Sequence, residues 1–249
     1  MRILMVGGSG LVGSMVMPYL KGEHEIRVFD VVAPQDAAAE YVQASVDDLA
    51  AIRGALQGME AVVYMALGRH PDGSRATDDI DKNYDLSVKG LHRTLAAMKE
   101  AGLTRLVYTS TLSVHGSRPG GIAHSEDIPA DAPSIYGFTK WLGELVCDYF
   151  ARAHGMTTVA LRLNGPVTRE EWHQRCQPGH PNPLTAAPDV ASAIALGLTA
   201  PVNGFTALFI SGDYEGRIIN CARAKAILGW EPRERPVAAI AGEERGAGA

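Results

Sequence analysis

The 249-residue sequence predicts an α/β fold in which a parallel sheet is covered by helices on both faces. Short β-branched, apolar runs alternate along the chain with longer stretches of helical period, the order of repeated strand–helix–strand units. The runs are apolar throughout rather than on alternate residues, as strands buried on both sides require. A glycine-rich turn also separates the first strand from the first helix. Open sheets of this kind bind ligands at the carboxyl ends of their strands, so chemistry is expected in the residues that follow each strand.

Arg2–Val6 is the first strand and Leu11–Leu20 the first helix. Glu25–Val31 is a second strand and Tyr41–Ala44 a short third. Asp47–Leu56 fits a helix, with Leu49, Ile52 and Leu56 on one face. Ala61–Ala66 and Arg105–Ser110 are continuous apolar runs of strand length. Between them Ile80–Glu100 carries Leu86, Leu91, Leu95 and Met98 in helical period and stops before Gly102. Ile135–His154 reads as one long helix ending at Gly155, and Thr157–Leu163 as the next strand. Residues 164–188 hold five prolines and little periodicity, the texture of a long functional loop or small subdomain. Asp189–Thr199 is a helix, Ala207–Ser211 a strand and Cys221–Leu228 a short helix. The Ala/Gly/Glu-rich stretch 238–249 reads as a flexible tail.

Composition excludes several classes of function. A hydrophobic fraction of 46% is too high for a largely disordered chain. A net charge of −5 with no long basic run argues against nucleic acid or an anionic membrane as partner. No run of 18 apolar residues occurs, and the N-terminal run Ile3–Val6 is too short for a secretory leader. Cys147, Cys176 and Cys221 are odd in number and far apart, which predicts free thiols and a reducing, cytoplasmic compartment. The 27 glycines have no period, so a repeat architecture is excluded.

Gly7, Gly10 and Gly13 give the spacing G-x-x-G-x-x-G between strand and helix. Such a turn needs tight bending, close approach of backbone to a pyrophosphate and close packing of helix on strand. Leu11 and Val12 then open a helix whose free N–H groups and positive dipole end suit phosphates. The second strand closes near Asp30, whose carboxylate can accept from both hydroxyls of an adenosine ribose. That carboxylate would repel a 2′-phosphate, and neither Val31 nor Val32 offers a cation to hold one, so NAD is favoured over NADP.

Tyr136 and Lys140 stand four apart, one above the other on a helix face. A lysine ammonium beside a phenol favours the phenolate, bringing a group of ordinary pKa near ~10 toward neutrality. Thr111 follows the strand Arg105–Ser110, at the edge where a substrate should lie, and its hydroxyl can orient an alcohol or carbonyl while Tyr136 moves the proton.

These landmarks together resemble the extended short-chain dehydrogenase/reductase family, the NAD-dependent epimerase/dehydratases. The resemblance runs from Arg2 to about Pro236 and includes GGSGLVG at 7–13, RLVYTSTLSVHG at 105–116, LRLNGP at 161–166 and AILGWEP at 226–232. It implies a Rossmann-type, doubly wound parallel sheet with NAD over residues 1–163. A small C-terminal substrate-binding portion over 164–237 would return partly to the sheet. Thr111, Tyr136 and Lys140 become the catalytic set, with Tyr136 as acid/base and Lys140 on the nicotinamide ribose. Ser45 and Val46 would stand at the adenine, where the family often has Asp-hydrophobic. Met65, Ala66, Leu67 and Asn164 would contact the cofactor. Arg69, Leu112, Ser113, Tyr136 and Asn164 would face the substrate. Ser87 stands where the family has Asn, with Asn83 one turn upstream. The dehydratase branch has Thr-Asp-Glu where this chain has Thr111-Leu112-Ser113, which argues against sugar 4,6-dehydration.

About 85 residues follow Leu163, a short C-terminal part for a nucleotide-sugar enzyme, so a smaller free substrate is expected. The layout is similar to the uronate dehydrogenase branch, which has Ser-Asn-His where Thr111-Leu112-Ser113 stand here. Arg69, His70, Arg169 and Arg175 are candidates for binding a carboxylate or phosphate, or are solvated surface charges. His173, Cys176 and His180 are spaced too loosely, among prolines, to predict a metal site. Cys147 reads as core and His115 as packing or pocket lining. The favoured function is an NAD-dependent oxidoreductase acting on a sugar, sugar acid or similar hydroxy substrate. The alternatives are an epimerase that retains its NAD, separable by release of NADH, and a non-catalytic NAD sensor. The resemblance also implies a homodimer through the helices Ile80–Glu100 and Ile135–His154, with Trp141 and Tyr149 in the contact.

Overall fold

A computed structural model describes residues 1–36, 38–70, 72–116, 123, 125–177 and 180–236. The tail assigned to 238–249 lies outside the described residues. The chain runs β1 (Arg2–Val6), α1 (Leu11–Leu20), β2 (Glu25–Asp30), β3 (Glu40–Gln43), α2 (Leu49–Ala55), β4 (Ala61–Tyr64) and α3 (Ile80–Tyr84). A π turn over Asp85–Gly90 leads to α4 (Leu91–Glu100), β5 (Arg105–Thr111) and α5 (Ile135–His154). Then come β6 (Thr157–Leu163), β7 (Pro166–Val167), α6 (Arg169–Gln174), β8 (Thr185–Ala186), α7 (Ala187–Thr199), β9 (Phe205–Ile210) and α8 (Ala222–Leu228).

Seven strands form one sheet in the order β3-β2-β1-β4-β5-β6-β9, and every pairing is parallel. The order in which strands are added reverses between β1 and β4, a switch point that opens a crevice at their carboxyl ends. Alternate residues of each strand feed opposite cores. Ile3, Met5, Val63, Val107, Val159 and Leu208 pack beneath α1, α7 and α8 with Val16, Ile194 and Trp230. Leu4, Val6, Val62, Leu106 and Ala160 pack beneath α2, α4 and α5 with Ile52, Leu95 and Phe150. Among the described residues, no helix is long and apolar enough to cross a membrane.

Local chemistry sets the helix ends. Ser134 caps α5 by accepting from the Gly137 N–H at 3.2 Å, and Gly155, at φ 65°, closes it in the left-handed region. Asp48 caps α2 through the Ala51 N–H at 2.9 Å, so the helix starts two residues later than Asp47. The helix predicted over Ile80–Glu100 forms over those residues, but its α ladder is interrupted by the π turn at Asp85–Gly90. There the Tyr64 hydroxyl donates to the Leu86 carbonyl at 2.6 Å, taking an acceptor that an α ladder would use. Helical period could not reveal this, because the apolar face continues through the break.

The proline-rich stretch 164–188 is more ordered than its pattern suggests. β7 pairs with β8, and α6 packs Trp172 into a cluster with Val167 and Ala186. Trp172 is fully buried, and its indole N–H donates to the Leu184 carbonyl at 2.7 Å.

Candidate active site

The carboxyl ends of β1, β2, β4 and β5 and the start of α5 enclose a cavity of about 1010 Å³. Its wall includes Gly7, Gly10, Leu11, Val12, Asp30, Ser45 and Val46 at one end. Met65, Ala66, Leu67, Arg69, Thr111, Ser113, Tyr136 and Lys140 line the other. A dinucleotide-sized space is therefore bounded by residues from six separate segments.

At the glycine turn, Gly7 sits at φ 80°, and a Cβ there would come within 2.5 Å of the Ala66 Cα. Gly13 does not line the cavity; a Cβ on it would run into the Gly8 backbone, so it lets α1 pack close to the turn. Gly10 begins α1 with no side-chain cap, which leaves the first N–H groups of the helix open to the cavity. The Ser9 hydroxyl is buried without a partner among the described residues. Asp30 accepts from the Ser9 N–H at 3.0 Å and the Val32 N–H at 3.1 Å, which fixes its carboxylate over the turn. Open donors at a helix start, an unpartnered hydroxyl and a fixed acid beyond them fit a dinucleotide such as NAD. Gly7→Ala is expected to weaken NAD binding by roughly tenfold or more, through a left-handed backbone and a clash with Ala66. Calorimetric titration with NAD⁺ would read this, and unchanged affinity would refute the assignment of the turn.

Beside Ser45 and Val46, Asp47 is engaged by Lys89 at 3.1 Å and Arg93 at 2.6 Å, and these hydrogen-bonded cations hold its pKa below the usual carboxylate range. Ser87 is buried with an unpartnered hydroxyl, while the Asn83 amide donates to the carbonyls of Ala76 at 2.8 Å and Asp79 at 2.6 Å. Asn83 thus anchors the segment that follows β4.

Thr111 ends β5, and its hydroxyl accepts from the Ser113 N–H at 3.1 Å. Burial raises the Tyr136 pKa, while a hydrogen bond with Thr111 and the charge of Arg75 pull it down. Lys140 is anchored to β5. Its ammonium donates to the Thr109 carbonyl at 2.9 Å and lies 4.9 Å from the Tyr108 ring centroid. Burial lowers its pKa to about 8. The four-residue spacing put both side chains on one face, as expected, but the lysine reaches back toward β5 rather than to the phenol.

Two predicted substrate contacts point elsewhere. Leu112 lies in a buried cluster with Ala123, Phe209 and Ile219, because the short turn after β5 rolls its side chain inward. The Asn164 amide donates to the Pro183 carbonyl at 2.7 Å, tying the end of β6 to β8; its neighbours Leu163, Gly165 and Pro166 line the cavity instead. Arg169 pairs with Glu234 at 2.9 Å and Arg175 with Glu171 at 2.6 Å, and neither lines the cavity. His173 is paired with Glu234 at 2.8 Å, and the Cys176 thiol donates to the Trp172 carbonyl. Cys147 is buried in the core beneath α5. Arg75 and Ser134 line the cavity without any sequence signal having pointed to them.

A dinucleotide cleft with a hydroxyl, a tyrosine and a lysine at its far end defines an enzyme of the short-chain dehydrogenase/reductase type. The chain belongs to the NAD dependent epimerase/dehydratase family, which its residues 3–176 match. It is 26% identical over 186 residues to L-arabinose 1-dehydrogenase (NAD(P)(+)) of Haloferax volcanii, covering 70% of each chain. It is 24% identical over 242 residues to uronate dehydrogenase of Pseudomonas putida, covering 94% of this chain and 84% of that one. Against UDP-glucose 4-epimerase of Lactobacillus helveticus, the match spans 51% of that protein at 26% identity. Among solved structures, a short-chain dehydrogenase/reductase superfamily protein of Agrobacterium tumefaciens with bound NAD superposes with a TM-score of 0.78 at 23% identity. That match covers 99% of this chain and 98% of the other.

Proposed function

We propose that the protein is an NAD-dependent dehydrogenase that oxidises a secondary or anomeric hydroxyl of a sugar or sugar acid. The observation that carries this reading is the convergence of Thr111, Tyr136 and Lys140 on one cavity with the glycine turn and Asp30. NAD, when bound, supplies the hydride acceptor. The residues of the chain do the rest. The Thr111 hydroxyl would orient the substrate oxygen and the Tyr136 phenolate would take its proton as the substrate becomes a carbonyl, with bound NAD as the acceptor of the hydride released from the C–H bond. Lys140 and Asp30 hold the two riboses, with Ser45 and Val46 at the adenine and Met65, Ala66 and Leu67 beside the cofactor. The two sugar dehydrogenases among the relatives align over larger shares of their own length than the epimerase does. An epimerase uses the same residues but returns the hydride and retains its NAD, and that difference is the test.

The purified protein is expected to release NADH into solution from NAD⁺ and one or more members of a panel of aldoses and uronic acids, read by absorbance. Substrate isomerisation without net NADH would assign the epimerase reading instead. Helix α5 presents Leu145 and Tyr149, each about half exposed, and this face, together with α4, would pair two copies into a dimer. Sedimentation at micromolar protein tests that pairing.

A further inference from the structure

We infer that Arg75 is the substrate's anion anchor, so that the molecule oxidised at Tyr136 carries a carboxylate or phosphate; this rests on the dehydrogenase reading. Arg75 lies on the loop between β4 and α3 and lines the cavity together with Thr111, Ser113 and Tyr136. The loop is built to hold it there. Arg69 and Arg75 pair across an antiparallel bridge, the His70 N–H donates to the Ser74 carbonyl at 2.8 Å, and the Ala76 N–H donates to the Gly68 carbonyl at 2.9 Å. The base of the loop is fixed by the Asn83 amide on the Ala76 carbonyl.

Charge pairing singles out Arg75 within this loop. Asp78 is taken by His70 at 2.8 Å and Asp79 by Lys82 at 3.1 Å, while Asp72 accepts from Ser74. The Arg69 guanidinium donates to the Gly73 carbonyl at 3.0 Å. Among the described residues, Arg75 has no ion pair and no side-chain hydrogen bond, although four aspartates lie within six residues of it in sequence. Its charge is felt by the Tyr136 phenol. A guanidinium left with its whole donor fork free, facing the proton-transfer residue, is the recognition element for two oxygens of an anionic group. Arg169 and Arg175 are paired with Glu234 and Glu171 and do not line the cavity, and Arg69, which does line it, has part of its fork committed to the Gly73 carbonyl.

The test compares glucose, glucuronate and glucose 6-phosphate, and galactose with galacturonate, in wild type, Arg75→Gln and Arg75→Lys. The readout is the ratio of kcat/KM for the anionic member to that for its neutral partner, which cancels any change in Tyr136 common to both. The ratio is expected to fall about 10- to 100-fold in Arg75→Gln, mainly through KM, and less in Arg75→Lys, which keeps charge but loses the fork. Whichever of glucuronate or glucose 6-phosphate shows the effect names the group. Turnover of neutral sugars with a ratio indifferent to Arg75 would overturn the proposal and leave the dehydrogenase reading standing. Titration of the NADH-loaded protein with the same sugars, read by nicotinamide fluorescence, covers a protein that releases no NADH. Arg75-dependent binding of an anionic sugar would then uphold the anchor while the dehydrogenase reading fails, and its absence would overturn the anchor as well.

Discussion

Tyr136→Phe is expected to lower kcat for NADH formation by about 10²- to 10⁴-fold, while NAD⁺ affinity stays within about threefold of wild type. The phenol lines the far wall of the cavity beside Thr111, whose hydrogen bond draws its pKa down, and the ring itself is kept in the substitution. Loss of NAD⁺ binding together with turnover would mean that Tyr136 shapes the cleft rather than the chemistry. The pH profile gives an independent check. Burial puts the Tyr136 pKa above its ordinary value, so the basic form needed for oxidation becomes more populated as pH rises. Oxidation is therefore expected to accelerate from pH 7 towards 10 and the reverse reduction to slow. Thr111→Val removes the hydrogen bond that favours the phenolate, so the rising limb should move to higher pH. A limb that stays in place would show that another group titrates.

What the sequence made legible follows from which interactions are local. The glycine turn, the end of α5 at Gly155 and the four-residue Tyr136/Lys140 spacing on one helix depend on residues within a few positions of each other, and all three are legible in the sequence. Strand order also follows, because parallel strands joined by helices admit few topologies. What stayed hidden is non-local. The π turn exists because Tyr64, more than twenty positions away, takes the Leu86 carbonyl. Lys140 turns to Thr109 because β5 offers a buried carbonyl there. Arg75 is distinguished by having no ion pair among the described residues, which no periodicity records. Asn164 and Leu112, which the resemblance implied at the substrate, have their side chains engaged by residues distant in sequence. The Pro183 carbonyl holds the Asn164 amide, and a buried cluster with Phe209 and Ile219 holds Leu112.

The largest stability effect is expected beneath the site, at Glu144. This residue lies one turn beyond Lys140 on α5, buried like its partner Arg162 on β6. Arg162 donates to it through Nε at 3.0 Å and Nη2 at 2.7 Å, and the Ser110 hydroxyl donates to Oε1 at 2.5 Å. The other end of the guanidinium meets the Glu126 carbonyl and His115 Nε2, each at 2.9 Å. Since arginine only donates and the Pro129 carbonyl, 3.0 Å from Nδ1, only accepts, His115 must be neutral with its proton on Nδ1. One buried cation and one buried carboxylate therefore bind together the end of β5 that carries Thr111, the loop after it, α5 and β6. Glu144→Gln keeps the shape but removes the charge and turns an NH₂ group towards the guanidinium, leaving Arg162 uncompensated. Breaking such a pair from one side costs about 3–5 kcal/mol, which at this chain length lowers Tm by roughly 6–20 °C. Thermal unfolding of the two proteins measures it. A Tm within about 2 °C of wild type would mean that water reaches the pair. The same network gives an acid limit. Burial and the Arg162 charge hold the His115 pKa below 6.5, so the unfolded chain binds its proton more readily. The stability contributed by neutral His115 is complete above the unfolded value and is lost as pH falls below it. His115→Gln, which can keep an acceptor for Arg162, should flatten that acid-side loss while Glu144→Gln should not.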